Sequence, residues 1–207
     1  MAKPAALPSE AKSIVTVGDG RGFVVNYRGN RLVVTAARCL PHLPPCRGAS
    51  CHSAERTFPA LISALGETPF VDALCLFADP IADIAVLGSP DEQEPYDEVP
   101  YDKLMEDAAP LAMADAPERG QAWLLSLGQK WFRCTIEYAK ELDGPLWISA
   151  TEQPIFSGML GSPIVSADGA AVGICCASGV SSSEDQNAGG PNPRLFRDLP
   201  AWLLRDL

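Results

Sequence analysis

At 207 residues and 47% hydrophobic, the chain can bury the core of one large domain or two small ones, and 20% charged residues with aliphatics in short runs argue against intrinsic disorder. A formal net charge of -10 argues against nonspecific binding to nucleic acid or anionic membrane, which needs a surplus of Lys and Arg. The 7 cysteines are odd in number and irregularly spaced, which suits buried free thiols better than a disulfide framework.

The N-terminal stretch, residues 1–12, has no continuous apolar core of a secretory leader, and no apolar run is long enough to cross a bilayer. If Met1 is the native start, a cytoplasmic location is the expectation. Strand character begins at Ser13-Ile14-Val15-Thr16-Val17, and Gly18-Asp19-Gly20 turns it into Gly22-Phe23-Val24-Val25-Asn26-Tyr27. Arg28-Gly29-Asn30 then leads into Arg31-Leu32-Val33-Val34-Thr35-Ala36, so an antiparallel meander is expected. Residues 41–53, rich in Pro and Cys, should form a loop, with strands resuming near residues 60–65, 71–77 and 84–87.

Residues 89–118 are acidic and interrupted by proline, and are expected to link residues 13–88 to a second half at residues 119–194. Strand patterns return at residues 122–127, 131–138 and 146–149, and again at residues 163–165 and 171–176, which Asp168-Gly169 separates. Residues 181–192, rich in Ser and Gly, are expected to form a mobile loop. In residues 195–207, Leu195, Phe196, Leu199, Trp202, Leu203 and Leu207 recur at helical spacing after Pro193, which predicts a short amphipathic helix. An all-β chain in two halves with one terminal helix favours barrels or sandwiches.

One stretch asks for a chemical explanation. In Ser157-Gly158-Met159-Leu160-Gly161-Ser162-Pro163, glycines flank a side chain at the tip of a tight loop, where backbone N–H groups can converge. That is how a nucleophile is displayed, yet the tip residue is Leu160.

Two further stretches supply the context. Leu32-Val33-Val34-Thr35-Ala36-Ala37-Arg38-Cys39-Leu40 resembles the Thr-Ala-Ala-His-Cys segment of trypsin-like serine proteases. Asp79-Pro80-Ile81-Ala82-Asp83-Ile84-Ala85-Val86-Leu87 resembles the segment that brings the family's aspartate, and Gly158 to Pro163 resembles Gly-x-Ser-Gly-x-Pro. Order and spacing both match, and with Gly20-Arg21-Gly22-Phe23 and the terminal helix the resemblance covers residues 13–207. It implies two antiparallel six-stranded β-barrels with a site in the cleft between them.

Carried over position by position, the resemblance places Arg38 where the histidine base stands, Asp83 at the orienting aspartate and Leu160 at the nucleophilic serine. Only Asp83 is retained. A guanidinium is protonated at any accessible pH and has no acceptor, and Leu160 carries only carbon, so neither can do the family's chemistry. Loss of one triad member in a comparable site costs about four to six orders of magnitude, and here two are missing.

The resemblance also implies an oxyanion hole from the backbone N–H groups of Gly158 and Leu160. It implies a side-chain pocket built from residues 153–156, with Pro154 at its floor, and from Ala177, Ser178 and Gly179. That pocket lacks an acidic residue, which suits a small or apolar side chain. Ser157, Ser162 and His42 are the nearby candidates to rescue the chemistry, but a shift of two or three residues changes where a side chain points. Ser162 also reads as a small loop residue beside Gly161, and His42 as an exposed histidine among prolines. Arg38 is expected either to pair with Asp83 or to swing into solvent, leaving Asp83 to backbone N–H groups. Cys39, His42, Cys46, Cys51 and His52 do not reproduce a paired metal-ligand spacing, and no metal or cofactor is expected.

Three function classes follow. The first is an inactive protease homologue, a binding or regulatory module that takes a protein or peptide in the cleft or on its surface loops; the second is an active serine endopeptidase with a rescued or variant site. The third is a structural subunit of a larger complex.

Overall fold

A computed structural model describes residues 11–45, 53–90, 100–176 and 188–205. Two six-stranded antiparallel sheets make up the fold. The first contains β1 (Ile14–Val17), β2 (Gly20–Tyr27), β3 (Asn30–Thr35), β4 (Thr57–Ala64), β5 (Val71–Asp79) and β6 (Ile84–Gly88). It closes in the order β1-β2-β3-β6-β5-β4, with β1 also pairing with β4 through Val15 and Ala64. Closure removes both sheet edges.

Local sequence explains the first hairpin. Arg28 and Gly29 both have positive φ, at 51° and 85°, and they connect β2 to β3 in the register Tyr27 to Asn30. This is the two-residue turn whose twist matches that of the flanking strands. Gly20 through Val25 are buried without alternation, because one face of β2 lines the barrel and the other is covered by neighbouring segments. β8 (Trp131–Glu137) shows the opposite pattern, strictly alternating buried and half-buried, as a strand with one face toward solvent should.

The second sheet contains β7 (Arg119–Leu125), β8, β9 (Leu146–Thr151), β10 (Pro163–Ser166), β11 (Ala171–Ile174) and β12 (Gly189–Asn192). Their order is β11-β10-β7-β8-β9-β12. The sheet curls into a half-barrel. β11 meets the residues just after β12 through the isolated bridge from Gly173 to Arg194 and the Ile174 N–H donating to Pro193 O at 3.2 Å. Trp123, Leu125, Val165, Ala171, Ile174 and Cys176 of this second half join the buried cluster of the first barrel, so apolar packing fuses the halves.

Three details depart from the sequence reading. Residues 189–192, expected in a mobile loop, form β12, with Asn192 Nδ2 donating to the carbonyls of Leu146 and Gly189 at 3.2 Å each. Nothing in Gly-Gly-Pro-Asn alternates, so pairing with β9 decides the conformation there. Within the acidic stretch lies α1 (Pro100–Glu106), whose Tyr101 and Met105 are buried against the first barrel. The terminal helix is two short ones, α2 (Leu195–Asp198) and α3 (Ala201–Leu204), interrupted at Leu199 and Pro200 because proline biases the preceding residue toward extended backbone. Leu195, Leu199 and Leu203 still all reach the core.

The segment after α1 is stitched to both halves. Leu111 N–H donates to Val24 O at 2.8 Å, and Ala114 N–H donates to Ala171 O at 2.9 Å. Tyr101 anchors its start: the hydroxyl donates to Arg31 O at 3.0 Å and approaches Leu87 O at 3.4 Å, and burial pushes its phenol pKa up. Tyr101→Phe should cost about 1 kcal/mol for the lost hydrogen bond, and Tyr101→Ala about 3–5 kcal/mol for the cavity. Urea denaturation of the two variants measures this, and equal losses would show that the ring does not fill a packed site.

Candidate functional site

The three resembling segments converge between the two halves. Arg38 lies in a single 3-10 turn (Ala37–Cys39) after β3, and Asp83 ends the turn before β6. Asp83 adopts a left-handed backbone with φ 58°, which aspartate tolerates better than most residues. Its Oδ1 accepts the Arg38 backbone N–H at 3.0 Å, and the Arg38 side-chain Nε stands 2.5 Å from Oδ2. The buried Oδ2 has no aligned hydrogen-bond donor, so its compensation is the Nε charge as an ion pair.

The pairing is the arrangement present, and Arg38 does not swing away from Asp83; a backbone N–H holds the same carboxylate as well. The backbone N–H holds one carboxylate oxygen, and the guanidinium pairs with the other while its side chain remains 55% exposed. A pair this exposed is worth about 1 kcal/mol or less, and salt screens it. Chemically it is closed to proton transfer, since Arg38 offers no acceptor to a substrate hydroxyl.

The Leu160 loop is fixed from behind. Leu160 O accepts the Arg21 N–H at 2.7 Å, and the Cys39 thiol, beside Arg38, lies 3.7 Å from the same oxygen. Gly161 N–H donates to Cys175 O at 2.8 Å, and the Cys176 thiol donates to Asp83 O at 3.2 Å. One continuous path thus ties Leu160 to Asp83 and Arg38. The Leu160 side chain is half-buried and packs on the core of the first barrel.

The close approach depends on missing side chains. Gly161 has φ 82°, and a Cβ there would lie 1.8 Å from Arg21 O and 2.8 Å from Thr35 Oγ1. Thr35 Oγ1 donates to Arg21 O at 2.6 Å, completing the contact. On the facing strand, a Cβ on Gly20 would lie 2.7 Å from Leu160 O.

Arg21 is the functional neighbour that the sequence reading did not single out. It is 5% exposed, and its Nη1 and Nη2 donate to Leu125 O at 2.7 Å and Ser126 O at 3.1 Å on the second half. Among the described residues no carboxylate pairs with it. Burial pulls its pKa down. A lone arginine between two glycines in an apolar run was the available signal, since a charge there must be satisfied by something across the interface.

The turn before Leu160 decides where its backbone points. Met159 N–H donates to Phe156 O at 2.9 Å, and Leu160 N–H donates to Ser157 O at 3.0 Å, forming a 3-10 turn (Ser157–Met159). Leu160 N–H is consequently turned onto its own loop, while Gly158 N–H lies outside both bonds. For the two donors to converge on one oxyanion, the Leu160 N–H would first have to leave Ser157 O.

Substitute nucleophiles fare poorly. Ser162 is fully buried, and among the described residues its Oγ has no hydrogen-bond partner. Ser157 is exposed but sits three residues before the tip. His42 is exposed, with its ring 4.9 Å from that of Phe58. Burial pushes the Cys39 and Cys176 thiols up, and Cys175 up to about 12, so all three are neutral thiols rather than thiolates.

Of the pocket residues, Pro154 is half-buried. Ala177, Ser178 and Gly179 lie outside the described residues, as do Cys46, Cys51 and His52. No group of three or more His, Cys, Asp or Glu side chains suited to a metal occurs among the described residues, and no described helix is long and apolar enough to cross a membrane.

No protein-family model matches the sequence, and no curated protein does. Solved structures do match. One, reported for aromatic interactions that drive the coupled folding and binding of the intrinsically disordered Sesbania mosaic virus VPg protein, aligns at TM-score 0.54 and 16% identity over 90% of this chain and 89% of that one. The Rv3671c protease in an inactive form aligns at TM-score 0.52 and 16% identity over 90% and 86%, and M. tuberculosis H37Rv is the source of a similar inactive form. The HtrA-type protease AlgW with a decapeptide aligns at TM-score 0.50 and 19% identity, over 84% of this chain and 47% of that one. The fold is that of the trypsin-like serine proteases.

Gly161→Ala should cost about 3 kcal/mol or more, from a strained left-handed alanine and overlap with Arg21 O. Arg38→Ala should cost about 1 kcal/mol or less. Thermal and urea unfolding of both variants checks the ranking, and a Gly161→Ala protein as stable as the parent would refute the close approach.

Proposed function

We propose that this chain is a trypsin-like protein whose cleft binds a protein or peptide without hydrolysing it. The observation that carries this reading is the pairing of Asp83 with Arg38, next in sequence to Cys39, whose thiol lies 3.7 Å from Leu160 O. At the position that resembles the family's base stands a cation locked to a carboxylate, and at the position that resembles its nucleophile stands an aliphatic side chain.

Two features support retention of a scaffold after loss of chemistry. Gly161 and Gly20 keep the loop in its tight seat, and Asp83 keeps the backbone N–H bond that orients the turn at Arg38. The turned-in Leu160 N–H fits the same reading, because a loop that no longer stabilises an oxyanion need not hold that donor free. Rescue by Ser162 would require bringing a fully buried hydroxyl to the surface.

A fluorophosphonate probe tests the reading. The unmodified protein should not label. The double variant Arg38→His with Leu160→Ser should label, about a hundredfold or more slowly than an ordinary trypsin-like protease, because one oxyanion donor begins on Ser157 O. Labelling of the unmodified protein at an active-site rate would overturn the proposal.

A further inference from the structure

The guanidinium of Arg38 is only half used. Its Nε faces Asp83 Oδ2 at 2.5 Å, and its backbone N–H holds Oδ1, which fixes the side chain at its base. Among the described residues neither Nη1 nor Nη2 has a partner, and the side chain is 55% exposed. Asp83, by contrast, is 15% exposed and lies behind it. A guanidinium has two edges that suit carboxylates, and the edge formed by the two Nη atoms matches a carboxylate fork to fork.

We infer that Arg38 makes the cleft a receptor for a peptide carboxylate, an inference that rests on the non-hydrolytic reading above. An uninterrupted neutral chain offers Arg38 only carbonyl oxygens, each a single neutral acceptor. A carboxylate offers two charged oxygens in the plane that the fork requires. Asp83 bridges from the Nε side, so the ligand meets an oriented cation and does not have to displace the buried partner.

The surroundings indicate what accompanies the carboxylate. Leu160 is half-buried beside Cys39, and the same loop exposes Phe156 at 51%. Leu127, 52% exposed, leans on Gly158, where a Cβ would lie 3.2 Å from its Cδ2. These apolar groups along the loop suit an apolar residue in the same peptide. The net charge of -10 opposes anions at long range, so recognition must come from contact at Arg38.

Three uncharged-backbone probes separate the sources of a carboxylate: acetyl-Ala-Ala-Leu with a free C-terminus, its C-terminal amide, and acetyl-Ala-Glu-Leu amide. Binding is followed by chemical-shift titration of the protein, and the peptides are recovered for mass measurement. The free acid or the glutamyl amide should bind about tenfold or more tightly than the neutral amide. Arg38→Gln should abolish that preference, and Arg38→Lys should keep part of it as a charge without a fork. Preference for the free acid assigns a chain terminus, and preference for the glutamyl peptide assigns an acidic side chain. Equal binding of all three, binding of none, or a preference that survives Arg38→Gln would overturn the inference, and if Arg38→Gln fails to fold, a full preference in Arg38→Lys overturns the fork. Cleaved peptide would instead overturn the non-hydrolytic reading, so the two failures are distinct.

Discussion

The backbone of β2 runs so close to the Leu160 loop that no Cβ fits between them, and the arrangement of Arg38, Asp83 and Leu160 follows from that contact. Arg21 O takes the Thr35 hydroxyl at 2.6 Å, Arg21 N–H reaches Leu160 O at 2.7 Å, and Gly161 lies against both. The first barrel thereby dictates the position of a loop that belongs to the second. Gly161 N–H and Cys175 O extend the contact to the segment after β11, and the Cys176 thiol carries it on to Asp83. The main-chain groups named here are paired at each step, as a buried seam between two sheets demands, while Asp83 Oδ2 relies on the Arg38 charge alone.

This seam places the loop without help from the side chain at position 160. The bonds that place the loop come from main-chain atoms and from Thr35, Cys39 and Arg21, and none uses the side chain at position 160. Leu160 instead adds apolar contact with the first barrel. At the other corner, Arg38 donates its main-chain N–H to Asp83 as any residue there could, and its side chain then answers the carboxylate charge. The buried thiols nearby are neutral and contribute packing.

Much of the architecture was legible in the sequence because strand-rich runs were separated by turns with conformational requirements, such as Arg28-Gly29 and Asp168-Gly169. The convergence of Arg38 and Asp83 followed from the resemblance of their segments, and the contact is present at 2.5 Å. What stayed hidden depends on partners distant in sequence. β12 forms from Gly-Gly-Pro-Asn only because Asn192 finds acceptors on Leu146 and Gly189. The helix in the acidic stretch forms where Tyr101 and Met105 can be buried on the barrel, which two apolar residues among carboxylates do not announce. The direction of the Leu160 N–H rests on the rotation of one peptide plane, and residue identity at Ser157 and Gly158 is compatible with more than one rotation.

Arg21 also sets an asymmetry in how freely the two sides of the interface can change over evolutionary time. Its guanidinium binds Leu125 O and Ser126 O, acceptors that every residue type supplies. The turn that receives it can therefore drift in sequence without losing the bond, provided its backbone path is kept. Position 21 has no such latitude: a shorter or neutral side chain would leave the two carbonyls without their donor inside the seam. Variation between related chains is expected to accumulate on the receiving turn and to be rare at the arginine.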